Sequence, residues 1–259
     1  MVELAVVLVI IALLIGGLAT LNSYTRNAAL SGMVNDARLY MDAFNRFQDR
    51  YGSPPGDFAK ASSMWTEATS GGSSDGLTHN GDSNGIIRAT GTATDNKSEY
   101  FYVFQHLALA GMIGGSYTGA TSGGTAGTDF YAKIGTNVPG TSMDKVAFLF
   151  DHPDATDGIV NGDSFYYDGA YGNVLRVAGL YDTDTNIPSQ VFLTPQQAQQ
   201  IDEKFDDGKP GMGFITVPVP PASATTPLHN CASSTTASSA TYNNSSSADK
   251  ACYLILRMK

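Results

Sequence analysis

The first 21 residues, MVELAVVLVIIALLIGGLATL, are almost wholly apolar, and Glu3 is their only charged side chain. A helix of about 20 apolar residues is long enough to cross the hydrocarbon core of a bilayer, because each residue adds about 1.5 Å. A carboxylate in such a segment costs roughly 2.5–3.5 kcal/mol to insert into lipid. We therefore expect a membrane-like helix in which Glu3 has a specific partner.

The helical pattern continues beyond this segment, without a breaker, through Arg50. In the second half, apolar residues recur at steps of three or four, which places them on one helical face. These residues are Met33, Ala37, Tyr40, Phe44, Phe47 and Tyr51. Gly52 and the prolines after it are typical of a helix end. We predict one long helix over 1–52, half membrane-like and half amphipathic, that packs on a head formed by 53–259.

This N-terminus resembles that of the type IV pilins and of the pseudopilins of type II secretion systems, which are made with a class III signal peptide. The resemblance rests on Val2-Glu3-Leu4 before the Val/Ile/Leu-rich body, on the amphipathic continuation and on the turn YGSPPGD at 51–57. It covers roughly the first 57 residues. It implies a pilin-like α+β fold, with the helix packed on an antiparallel β-sheet, and a structural role rather than an enzymatic one.

The resemblance also implies processing. In the family, a prepilin peptidase removes a basic leader, the new N-terminal residue is methylated, and a glutamate lies close behind it. Glu3 matches this glutamate by its context but lies two residues early. No basic leader precedes the apolar segment, so the sequence resembles a mature chain. The position of Glu3 indicates either two residues before Met1 or an atypical processed end, and we favour the first.

Subunits of this family stack their first helices into a filament core. The resemblance therefore assigns Glu3 to subunit register, through pairing with the N-terminal amine of a neighbour, which avoids a lone buried charge. The alternative is a plain single-pass anchor with an acid near its end. Gly16 and Gly17 each weaken a helix by about 1 kcal/mol relative to Ala. They indicate either local extension in a filament or close helix–helix packing through small residues.

The two cysteines, Cys231 and Cys252, lie near the C-terminus. An even pair in an exported chain indicates a disulfide. It would close the loop 231–252 and stabilise the head by roughly 3 kcal/mol in the chain-entropy model. Many pilins close a C-terminal loop in this way, so the pair adds to the resemblance.

Oxygen-bearing side chains are concentrated before Gly85, at Asp75, Asn80, Asp82 and Asn84. Calcium prefers such hard oxygen ligands, but the bidentate glutamate of an EF-hand is missing. Ordinary turn chemistry explains the same residues, because Asn, Asp and Gly favour turns. Calcium is therefore a candidate ligand, and no cofactor is required.

The head shows further elements. We predict a helix over 99–113 capped by Ser98, and a helix that begins after Thr194 with a capping box. Strands are predicted at 145–151, 164–168, 173–178, 213–217 and 251–257, the first three forming an antiparallel sheet on the amphipathic half of the first helix. His106 is interpreted as a surface or hydrogen-bonded residue rather than a ligand.

Acidic residues cluster between the predicted strands, at Asp151, Asp154, Asp157 and Asp163. Paired carboxylates can act as in a glycosidase. No nucleophile or metal motif accompanies these, so we favour solvated loop acids or a second weak calcium site.

The net charge of the 259 residues is −9, of which Glu3 contributes −1 and the remainder −8. Nucleic-acid binding requires a basic patch, so this composition argues against it. The sequence predicts a structural subunit of a type IV pilus-like surface filament, a helical homo-oligomer with an inner-membrane pool before assembly. Its expected partners are the inner-membrane assembly machinery and the prepilin peptidase. The alternatives are a type II secretion pseudopilin and, in another class, a membrane-anchored periplasmic enzyme or binding domain.

Overall fold

The computed structural model describes residues 2–65, 78–88, 98–120, 131–153, 166–167, 171–180, 188–219, 230–244 and 249–258. Its elements are α1 (Val2–Tyr51), α2 (Ala61–Met64), α3 (Glu99–Leu109), β1 (Val146–Asp151), β2 (Val174–Gly179), α4 (Pro195–Phe205), β3 (Ile215–Thr216) and β4 (Leu254–Arg257), with a 3₁₀ turn at Ala237–Ser239. The predicted α+β class is confirmed. In these described ranges, no helix combines the length and the apolar character needed to span a membrane.

α1 contains 50 residues, and at about 1.5 Å per residue it is roughly 75 Å long. Its apolar face is buried in the head from Leu30 onward. The buried residues of this face include Leu30, Met33, Val34, Ala37, Met41, Phe44 and Phe47. α1 ends where Gly52, at φ +74°, takes the left-handed conformation that favours glycine. The C-terminal half of α1 therefore belongs to the core of the head.

The four strands form an antiparallel sheet in the order β1-β2-β4-β3. One face packs on α1, where Phe150 stacks on Phe44 with ring centroids 4.8 Å apart and Phe148 lies 5.0 Å from Tyr40. α3 completes this core through Phe104, whose ring lies 5.7 Å from that of Phe150. The sheet, α1 and α3 thus share one aromatic core.

The prediction for the second strand, 164–168, was wrong in its described part. Tyr166 and Tyr167, from the predicted strand 164–168, lie outside the sheet, and residues 164, 165 and 168 are outside the described ranges. β2 pairs instead with the C-terminal strand β4, from Val174↔Arg257 to Val177↔Leu254. The physical reason is that Tyr166 covers the sheet, with its hydroxyl bound to the buried carboxylate of β1.

The helix boundaries follow from capping. Ser98 caps α3 as predicted, but α3 ends at Leu109 rather than at 113. Gly111 adopts φ +69°, and the Met112 N–H donates to the Leu107 carbonyl at 2.9 Å, which closes a Schellman-type end.

The predicted capping box of α4 is confirmed. The Thr194 hydroxyl accepts from the Gln197 N–H at 3.2 Å, and the Gln197 side chain accepts from the Thr194 N–H at 3.1 Å. Two orphan donors at the start of the helix are thereby satisfied.

A buried ion pair joins β1 to β2. Arg176 and Asp151 are 0% and 1% exposed, and the guanidinium donates to the Asp151 carboxylate and to the Tyr166 hydroxyl. The Tyr166 hydroxyl in turn donates to Asp151 at 2.8 Å. The prediction that Asp151 is a solvated loop acid was therefore wrong, because Asp151 ends a strand and its charge is compensated by Arg176 on the next strand. Asp154, Asp157 and Asp163 lie outside the described ranges.

We expect Arg176→Met to lower the free energy of unfolding by about 3–5 kcal/mol, because it leaves the Asp151 carboxylate buried without a counter-charge. The double variant Arg176→Met/Asp151→Leu should recover most of this loss, since both buried charges are then removed. Urea unfolding followed by circular dichroism measures both. Equal losses in the single and the double variant would contradict the compensation.

Candidate functional site

Glu3 lies in the first turn of α1, and its side chain is exposed. An acid is favoured there by the partial positive charge of a helix N-terminus. The side chains that follow it are apolar and are 45–59% exposed. They are Val6, Val7, Val9, Ile10 and Ile11. At 3.6 residues per turn, these positions cover more than half of the helix circumference, so this segment presents apolar surface that favours burial against a partner.

Gly16 and Gly17 lie within α1, which continues through both without a break in its helical backbone. Local extension at this pair would be a property of the assembled filament. It stays a prediction.

Cys231 and Cys252 form a disulfide across 21 residues of sequence. Directly after it, the chain enters β4, and the Cys252 carbonyl accepts from the Phe192 N–H at 2.9 Å. The disulfide thus attaches the described part of the loop 231–252 to the sheet and to the segment before α4.

The predicted calcium residues are not brought together as a set. Asp75 lies outside the described ranges. The Asn80 side chain is bonded to Ser62, accepting from its N–H and donating to its hydroxyl, both at 2.8 Å. The Asn84 side chain accepts from the Ile86 N–H at 2.8 Å and donates to Asp82 at 2.9 Å. Turn chemistry therefore explains the positions of Asn80 and Asn84.

Asp82 instead meets two acids that the sequence analysis missed. Asp57, in the turn after α1, and Glu99, in the first turn of α3, join it so that one oxygen from each lies within 4.8 Å of the others. Asp57 and Glu99 are 1% and 0% exposed. We call these three residues the carboxylate cluster. No local pattern identifies it, because its members come from three segments of the chain and Glu99 has an ordinary explanation as the acid of a helix N-terminus.

Backbone N–H groups hold the carboxylate cluster in place. Asp57 accepts from Asn84 at 2.9 Å and from Gly85 at 2.8 Å. Glu99 accepts from Asp82 at 3.1 Å and from Arg88 at 3.2 Å. These bonds fasten the loop 80–88 to the ends of α1 and α3.

A single cation faces the cluster in the described ranges. The Arg88 guanidinium lies 3.1 Å from the Asp82 carboxylate. Burial, together with the charges of Asp82 and Asp57, raises the pKa of Glu99 to about 8, against the lowering effect of the two N–H donors. Burial also raises the pKa of Asp57. At neutral pH the cluster therefore favours a bound proton, and three converging carboxylates also suit a divalent cation.

His106 is hydrogen-bonded on both ring nitrogens, as predicted. Nδ1 accepts from the Gly56 N–H at 2.8 Å and Nε2 lies 2.8 Å from the His79 carbonyl. Burial lowers the pKa of His106 to about 4, so the ring is neutral at pH 7. Neither nitrogen is left for a metal.

A second acidic group, Asp202, Asp206 and Asp207, lies at the end of α4. Asp206 accepts from the Ile215 N–H at 2.8 Å, and Asp202 accepts from the Tyr242 hydroxyl at 2.7 Å. Burial raises the pKa of Asp202 to about 7. These bonds connect the end of α4 to β3 and to the disulfide loop, which gives the group a structural explanation.

Comparison of the chain with models of protein families, with curated proteins and with solved structures yields no match.

We expect the stability of the head to fall as the pH rises from about 6.5 to 8.5, above the range in which the lowered pKa of His106 has the opposite effect. The Glu99 pKa is about 8 in the folded state and roughly 4.3 in an unfolded chain. Between these values the folded state binds more protons, so the free energy of unfolding decreases with pH. Asp202, with a pKa of about 7, adds a change of the same sign.

Thermal unfolding of Glu99→Gln should show a flatter pH dependence, because the amide does not titrate. Glu203→Gln, which changes an exposed acid on α4, is the matched control and should keep the wild-type slope. Identical slopes for Glu99→Gln and the wild type would contradict the assignment to Glu99.

The calcium prediction has its own test at pH 8, near the pKa of Glu99, where the cluster carries more negative charge than at neutral pH. A cation that binds only the folded state stabilises it, by about 2.7 kcal/mol at 100 times its dissociation constant. Calcium should then raise the unfolding temperature, EDTA should reverse the rise, and Asp82→Asn should abolish it. If calcium does not raise the unfolding temperature of the wild type, the calcium prediction is wrong. The cluster then serves to hold the loop 80–88 against α1 and α3.

Proposed function

We propose that this protein is a structural subunit of a type IV pilus-like surface filament that polymerises through α1. The observation that carries the proposal is the N-terminal half of α1, which displays exposed apolar side chains and the single acid Glu3 beyond the head. A helix that exposes apolar residues over more than half of its circumference gains free energy when other helices cover it. Copies of the same chain can supply that cover.

Glu3 gives this packing its register. Apolar contacts are non-directional, so helices that meet through them alone can slide along one another. A carboxylate buried between helices needs a positive partner at one position, and removal of that partner is strongly unfavourable. The N-terminal amine of a neighbouring copy is such a partner, and it would fix the axial offset between subunits.

The head supports the same proposal. The amphipathic half of α1 packs on an antiparallel sheet, and a disulfide closes a loop next to the last strand. Both features agree with the pilin-like arrangement that the N-terminal sequence implies. The acidic head would form the outer surface of the filament.

The proposal includes a route to the filament. A prepilin peptidase would process the chain and its first residue would be methylated, and an inner-membrane pool would feed the assembly machinery. In the filament, Gly16 and Gly17 would allow local extension of the helix. A short periplasmic pseudopilus of a type II secretion system is the related outcome, because it uses the same helix packing.

We expect Glu3→Leu and Glu3→Gln to reduce the yield of filaments at least about tenfold, since about 1.4 kcal/mol suffices for that factor and an unpaired buried charge costs more. Electron microscopy of the fraction sheared from cells, with mass spectrometry of its main protein, measures the yield. The head should keep its circular dichroism spectrum.

Asp36→Asn, which changes an exposed acid on the amphipathic half of α1, is the matched control and should assemble normally. Normal fibres from Glu3→Leu would contradict the role of Glu3 in subunit register. Wild-type protein that stays in the inner membrane without long fibres would favour the pseudopilin.

A further inference from the structure

A groove of about 200 Å³ lies between α1 and α4, where α1 leaves the head. Leu30, Ile201 and Phe205 provide its apolar lining, and Gln200 and Lys204 are exposed along its α4 side. The groove is thus apolar inside and polar at its rim, and it opens beside the point from which the N-terminal half of α1 projects.

Three cations surround this groove. The Arg26 guanidinium donates to the Gln197 side chain at 3.2 Å, and Lys204 donates to the Ser31 hydroxyl at 2.9 Å. Arg38 lies 5.0 Å from the centre of the Phe205 ring.

All three cations contact neutral groups, and within the described part of the chain none of them pairs with a carboxylate. The nearby acid Glu203 projects from another side of α4, where it accepts from Gln199 at 2.7 Å. In a chain with a net charge of −9, this groove is a local site of uncompensated positive charge, and it favours an anionic occupant.

The chain itself contains a segment with the matching properties. Glu3 is the only charge before Arg26, and it is followed by exposed apolar residues. A straight α1 separates Glu3 from Leu30 by 27 residues, or roughly 40 Å at 1.5 Å per residue. The groove of one copy is therefore out of reach of its own Glu3 and accessible only to that of another copy.

We propose that the α1–α4 groove binds the N-terminal segment of α1 from a second copy, with Glu3 of that copy facing Lys204 and its apolar residues contacting the half-buried Phe205. The inference rests on the proposed function and names its contact surface. The contact joins two different surfaces, the tip of one copy and the groove of the next. Such a contact produces a ring if its repetition returns to the first copy and an open filament if it does not. With the helices parallel, the offset of roughly 40 Å along α1 prevents the return, so repetition produces a filament.

Cysteine cross-linking in filaments sheared from cells tests the contact. The described cysteines are both in the disulfide, so an added pair can be read without interference. Val6→Cys with Gln200→Cys should give a ladder of covalent oligomers on a non-reducing gel.

The control pair is Val6→Cys with Leu39→Cys. Leu39 is 63% exposed on α1 and lines a different groove, with Asp36 and Arg46 beside it. This control pair should give no ladder.

A charge reversal tests the role of Lys204 separately. Lys204→Glu should lower the filament yield at least tenfold, whereas Lys204→Arg, which keeps the positive charge, should retain it to within about threefold of the wild type. Lys133→Glu, a change of the same type at an exposed lysine of the head, should leave the yield unchanged. Circular dichroism of each variant checks that the head is folded, and Lys204→Gln replaces Lys204→Glu if that variant unfolds.

The outcomes separate the two proposals. If the wild type forms filaments but only the Leu39 pair gives a ladder, or neither pair does and Lys204→Glu keeps the wild-type yield, this inference is overturned and the filament proposal stands. Absence of wild-type filaments overturns the filament proposal. If Lys204→Glu instead abolishes binding of the full chain to vesicles of anionic phospholipid while filaments and both gels stay unchanged, the groove binds lipid headgroups and the inference is wrong.

Discussion

The packing of α1 on the sheet is the contact on which the rest of the structure depends. Phe44 stacks on Phe150 and Tyr40 contacts Phe148, so residues of one helix provide one side of the aromatic core. The same helix continues, without a break in its hydrogen-bonded backbone, into the exposed apolar segment that contains Glu3. Because the two halves belong to one continuous helix, a partner that binds the tip of α1 also influences where the head lies. The core of the monomer and the proposed contacts between monomers are thus properties of a single helix.

Buried polar groups then determine how the loops are arranged around that core. Asp57 and Glu99 accept backbone N–H groups of the loop 80–88, and His106 bonds to Gly56 and to the His79 carbonyl. These bonds hold the turn after α1 against α3. They keep the Glu99 carboxyl buried, and its pKa is raised to about 8. On the other side of the sheet the Arg176–Asp151 pair keeps the charges balanced. A head with long polar loops needs such contacts, since apolar burial alone provides little directional information.

Local patterns predicted the elements well where each element depends on neighbours in sequence. The three- and four-residue spacing from Met33 to Tyr51 predicted the buried face of α1, and Thr194 with Gln197 predicted the capping box of α4. The failures share a non-local origin. The pairing of β2 with β4 and the convergence of Asp57 with Glu99 join residues far apart in the chain, and no periodicity encodes them. Tyr166 is of a residue type that is common in strands. Its hydroxyl bonds to Asp151, so tertiary contacts override its local preference.

Charge and hydrophobicity have different roles in the proposed assembly, and the structure separates them along α1. The apolar side chains from Val6 to Ile11 can supply cohesion with any apolar surface, whether lipid or another helix. A charge defines the relative position of two helices, because its interaction energy depends on the distance to the opposite charge. Glu3 has two candidate counter-charges in an assembled copy, the neighbouring N-terminal amine and Lys204 at the α1–α4 groove. An amine on the same helical end can align only adjacent tips, whereas Lys204 lies on a head and would couple the tip of one copy to the orientation of another. If the heads of the filament are ordered as well as its core, the contact between Glu3 of one copy and Lys204 of another is therefore favoured.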